Sequence, residues 1–138
     1  VTAAEDDQPT IAETLTVERR TRPVPFNGIR KGAARWAISK ELADWRAWAK
    51  AEGAGWVMRA PVAIRVEHLR KNRSAMPDVG APLLAVKAVI DGLVDAGVLP
   101  GDDPRYVQRL TFVAPEVVGW HGLRLTLTTI RTTGGTAL

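Results

Sequence analysis

Cysteine is absent from this 138-residue chain. Its absence removes disulfides, thiolate metal sites and cysteine nucleophiles, and it fits a reducing, cytoplasmic setting. Long apolar runs are also missing, so no stretch reads as a membrane-spanning helix. Histidine occurs only as His68 and His121. They are far apart and show neither His-x-Glu nor paired-His zinc spacing, so each reads as a surface or strand-end residue. No glycine-rich phosphate loop, serine elbow, internal repeat or basic-then-apolar export pattern is found. Candidate chemistry must therefore use oxygen and nitrogen donors, with no small-molecule cofactor and no membrane partner.

What is present is a basic, globular composition. The hydrophobic fraction is 46% and the charged fraction 25%, which suits one domain with a useful core. The formal charge of +4 understates the basicity. Glu5, Asp6, Asp7 and Glu13 lie in a stretch without Lys or Arg, so all 19 basic side chains follow residue 13. Such a balance favours a polyanionic partner, nucleic acid first. Residues 1–13 read as a flexible acidic tail, 14–131 as a single domain, and 132–138, "TTGGTAL", as a flexible end.

Periodicity divides the domain. "ETLTVERR" alternates and predicts a strand over residues 14–20. "TRPVPFNGIRKGAAR" breaks it with Pro23, Pro25 and Gly28, giving a basic loop around Asn27. The spacing of Ile38, Leu42, Trp45 and Ala49 predicts a packing helix over 36–52. The other tryptophans, Trp36, Trp48, Trp56 and Trp120, are read as packing residues before base-stacking ones. "PVAIRVEHL" predicts a strand with Val62, Ile64 and Val66 inward. After the polar "RKNRSAMPDVGAP", the stripe Leu83, Val86, Ile90, Leu93 predicts a second helix, entered at Pro82 and stopped at Gly97. "YVQRLTFVAP" and "HGLRLTLTTI" read as two strands pairing in a hairpin around "EVVGW". The order β-α-β-α-β-β predicts an α+β fold, a mixed or antiparallel sheet with two main helices.

Asp78, Asp91, Asp95, Asp102 and Asp103 bracket the second helix. That helix spans about 20 Å at ~1.5 Å per residue, so a loop must fold back for its flanks to meet. Converging carboxylates would suit Mg²⁺ or Mn²⁺ and the activation of water against phosphorus, with Lys87 offsetting charge on the leaving oxygen. The plainer reading makes Lys87 and Asp91 a surface helix pair and "PGDDP" a turn.

The run "RKNRSAMPDVGAPLLAVKAVIDGLVDAGVLPGDDPRYV", with "RPVPFNGIRKGAAR" before it, resembles the RusA family of Holliday junction resolvases over roughly residues 14 to 130. The family pattern is a basic stretch, Asp-x-Asp-Asn, a lysine, an aspartate one turn later, and Asp-Asp entering a strand. The resemblance implies a small α+β homodimer that cuts four-way DNA junctions with Mg²⁺ or Mn²⁺. It places Asp78, Asp102 and Asp103 as metal ligands, either of the last two matching the downstream aspartate. Lys87 and Asp91 join them in catalysis, and Asn27, Arg30, Lys31, Arg35, Arg70, Lys71 and Arg73 contact DNA. The sequence departs where Gly80 and Ala81 replace the second aspartate and the asparagine. Asp91 or Glu67 would then take the missing role, or the protein would bind junctions with impaired chemistry. A basic interaction module without a DNA role is the third reading.

Overall fold

The computed structural model describes residues 8–25 and 35–131. Within them the chain is α+β, with two helices and a mixed five-stranded sheet. The strands are β1 (Thr10–Ala12), β2 (Thr14–Arg19), β3 (Trp56–Met58), β4 (Val62–Arg70), β5 (Val107–Phe112), β6 (Glu116–Val117) and β7 (Gly122–Thr129). The helices are α1 (Arg35–Gly53) and α2 (Leu83–Asp95). Among the described residues no helix is long and apolar enough to cross a membrane.

The main sheet runs β2-β7-β4-β5, with β6 extending the β5 side of β4. Alternation gives it one apolar face. Leu15 and Val17, Leu123, Leu125 and Leu127, and Val62, Ile64 and Val66 are all buried there against α1 and α2. The opposite face is polar, and its central rung is an ion-paired ladder. Glu18, Arg124 and Glu67 are aligned across three strands, with Arg124 bonded to Glu18 at 2.7 Å and to Glu67 at 3.2 Å.

The α1 stripe behaves as its spacing predicts: Trp45 and Ala49 are buried and Leu42 packs at their edge. The helices touch closely at Gly92, where a side chain would collide with the Arg46 carbonyl and the Ala49 methyl. Arg46 also clamps Asp95 through two hydrogen bonds of 2.6 and 3.0 Å. α2 ends in a Schellman turn, with Gly97 at φ +85°, its N–H donating to the Val94 carbonyl and that of Val98 to the Leu93 carbonyl. Val98 and Leu99 then enter the core. The turn thus reverses the chain after α2 and re-anchors it in the core ahead of Asp102 and Asp103.

Two expectations need correction. The last two strands form no hairpin, because β7 lies antiparallel between β2 and β4 while β5 lies parallel on the other side of β4. Central β4 needs a partner on both edges, and β6 carries the chain past its end before it returns as β7. The stretch assigned to an acidic tail also contains β1, which pairs in parallel with β3 from Thr10 to Trp56 through Ala12 to Met58.

Candidate functional site

Because β4 and β5 are parallel, α2 runs antiparallel to both. Its N-terminus therefore lies at the C-terminal end of β4, beside the segment carrying Asp78. Its C-terminus leads into the loop carrying Asp102 and Asp103, at the start of β5. That loop folds back, so that Lys87, Ile90, Asp102, Val107 and Leu110 line one pocket of about 120 Å³. Lys87 and Asp102 are exposed there, and Asp102 makes no hydrogen bond or ion pair among the described residues.

Asp103, its neighbour, is committed to the turn. Its carboxylate accepts from the Arg105 backbone N–H at 2.9 Å and from the Arg105 guanidinium at 3.0 and 2.8 Å. Its carbonyl accepts from Tyr106 and Val107, both at 2.9 Å. The side-chain and backbone hydrogen bonds from Arg105 hold this carboxyl below the usual carboxylate range.

Asp91 faces α1, 4.0 Å from the Arg46 guanidinium, and lines a second pocket with Lys87, Arg46 and Leu84. Lys87 thus stands between Asp91 and Asp102, and it forms no ion pair with Asp91. Asp78 is separate. It lines a groove of about 480 Å³ with Pro25, Met76, Pro77, Gly80, Ala81 and Leu83, and its carbonyl accepts from the Ala81 N–H. Glu67 lies on the polar face of the sheet, bonded to Arg124. Among the described residues no three His, Asp or Glu side chains gather as a metal-ligand group.

Of the predicted DNA contacts, Asn27, Arg30 and Lys31 lie outside the described residues. Arg35 is exposed at the start of α1, and Lys71 and Arg73 are exposed after β4. Arg70 differs: it belongs to β4 and is 4% exposed. So does His68, also 4% exposed, two positions earlier in the same row. The period-2 pattern that places Val62, Ile64 and Val66 inward carries both residues inward, a signal present in the sequence and overridden by their polarity.

Around them gather Arg22, Lys71 and His121. The Lys71 backbone N–H donates to His121 Nδ1 at 3.3 Å. Arg20 stacks on Trp120 at 3.8 Å. Burial, then the charges of Arg70, His121 and Arg22, pushes His68 down to about 4. Burial and then the charge of Arg22 lower Arg70, and burial followed by the charges of Arg70, Arg22 and Lys71 lowers His121. Compared with known protein families and with curated proteins, the chain matches none.

Proposed function

We propose that this chain is a metal-dependent endodeoxyribonuclease of four-way DNA junctions, acting as a homodimer in the cytoplasm in recombination and repair. The observation that carries the reading is the shared pocket of Lys87 and Asp102, which come from the middle of α2 and from the loop after it. They stand in the order found in the RusA resolvases that the sequence resembles. The α+β fold is compatible with that resemblance.

Mg²⁺ or Mn²⁺ takes oxygen donors and keeps waters and substrate phosphates, so one or two carboxylates from the protein suffice. Asp102 fits as one donor, being exposed and without a partner among the described residues, whereas Asp103 is held by Arg105. A bound divalent ion supplies charge neutralisation at the phosphoryl group. Lys87 presents an ammonium to the same pocket, where it offsets negative charge developing on the leaving oxygen. Arg35, Arg70, Lys71 and Arg73, with Asn27, Arg30 and Lys31, contact the backbone, so affinity falls steeply with salt. A two-fold dimer presents two such sites to a junction of matching symmetry.

One observation favours a second reading, a junction-binding protein of the same fold with impaired chemistry. Asp78 and Asp102 line different pockets. A gel assay on a labelled four-way junction, with a duplex control, decides. Paired symmetric cuts only with Mg²⁺ or Mn²⁺, abolished by Asp102→Asn, support the nuclease. Tight binding without cuts supports the second reading. Failure of nanomolar protein to bind the junction at low salt sinks both. Gly80→Asp sharpens the test, because a side chain there meets nothing within 4 Å. Restoring this carboxylate is expected to raise metal-dependent cutting roughly tenfold or more, the scale of one well-placed electrostatic contact.

A further inference from the structure

The helix-facing row of β4 ends in two buried polar residues whose hydrogen-bonding groups are unanswered. Both ring nitrogens of His68, Nε of Arg70 and Nε1 of Trp120 are buried without a partner among the described residues. Folded proteins leave few such groups, so each needs a reason. Arginine and the indole are donors only and require an acceptor. The surrounding charges, from Arg22, Lys71 and His121, are all basic or titrate to cations, so the acceptor that fits carries negative charge. The hydrogen bond from Lys71 to His121 Nδ1 leaves Nε2 of the neutral ring as its N–H donor.

We infer that the C-terminal end of β4 is an anion seat for a phosphate group, built from His68 and Arg70 at its floor and His121, Arg22 and Lys71 at its rim. Its geometry follows from the sheet. Leu123 lies beside His68, and Arg19 lies beside Leu123, so the cationic segments after β2, after β4 and before β7 meet at one edge. A tetrahedral oxyanion offers several acceptors at once, and the guanidinium binds it through charge-assisted hydrogen bonds. The seat lies at the end of β4 remote from the start of β5, where the loop of Asp102 arrives, and it needs neither that carboxylate nor a metal. It does not depend on the cleavage chemistry, but it rests on the proposed function to the extent that Arg70 and Lys71 are also the residues set there against backbone phosphates.

The test titrates the full chain, in EDTA, with inorganic phosphate and separately with a short duplex oligonucleotide. The readouts are the imidazole resonances of His68 and His121 and the indole N–H resonance of Trp120. All three are expected to move with phosphate. Arg70→Gln should remove the response. Arg22→Gln, at an exposed position with no role in the core, should weaken it by roughly tenfold, the worth of one hydrogen bond to a charged group. Movement with the oligonucleotide as well assigns the seat to backbone phosphodiesters, whereas movement with phosphate alone assigns it to a free phosphate group. Resonances that stay still at saturating phosphate, or that respond equally in the folded Arg22→Gln and Arg70→Gln proteins, overturn the inference. A failure of junction cleavage leaves this result unchanged, so the two readings fail separately.

Discussion

Val62, Ile64 and Val66 fill one half of the helix-facing row of β4, packed against Leu125, Leu127 and the buried face of α2. His68 and Arg70 fill the other half and are almost as deeply buried, yet both ring nitrogens of His68 and Nε of Arg70 lack partners among the described residues. Burial alone thus does not separate scaffold from site. In the first half every buried atom gains from leaving water. In the second, desolvation of polar groups opposes folding and is tolerated where another molecule completes the contacts.

The largest expected effect is on the apolar half. Ile64→Ala deletes a fully buried side chain between two neighbouring strands and should cost about 3 to 4 kcal/mol in urea unfolding. A loss below about 1 kcal/mol would mean that the core collapses around the gap and that the contrast between the halves is overstated. The next effect concerns the polar half and acid. His68 sits at about 4 in the folded protein, against roughly 6.5 in an unfolded chain. Between those values the unfolded chain binds more protons, so stability should fall as pH drops from about 6.5 to 4, by up to about 3 kcal/mol. His68→Leu should flatten that limb of the stability profile. An unchanged slope would assign the acid sensitivity to other groups.

Arg70→Met carries the comparison further, in the opposite direction. Replacing a buried charge that lacks a full set of partners with an apolar side chain of similar volume is expected to stabilise the protein by about 1 kcal/mol or more. The same change should weaken phosphate binding. If Arg70→Met destabilises, its guanidinium is already satisfied within the protein, and the two halves of the row are both scaffold.

The elements that local periodicity specifies were legible in the sequence. α1 and α2 follow their apolar stripes, β4 follows its alternation, and Gly97 ends α2 as a left-handed glycine does. Partner choice was not. β5 and β7 are neighbours in sequence with strand-like patterns, but nothing local says that β4 will stand between them. The three-residue strands β1 and β3 were equally silent, since so short a pairing leaves no period to read. At the candidate site, order in the chain suggested carboxylates on either side of α2. Their division between two pockets depends on the path of the loop after Gly97, which is set by the burial of Val98 and Leu99.

The smallest stability effects separate two adjacent aspartates. Asp103 accepts three hydrogen bonds from Arg105 and starts the turn into β5, so Asp103→Asn should lower the urea midpoint modestly. That loss should shrink on acidification. Arg105 depresses the Asp103 pKa, so its contribution is present above the unfolded value near 3.9 and disappears as pH falls through the lower folded value. Asp102 makes no such bonds among the described residues, and Asp102→Asn should leave the midpoint unchanged while removing junction cutting. Measured side by side, an unchanged midpoint with lost cutting assigns Asp102 to the site and Asp103 to the scaffold. The reverse pattern would exchange them and place the carboxylate held by Arg105 at the reacting phosphate.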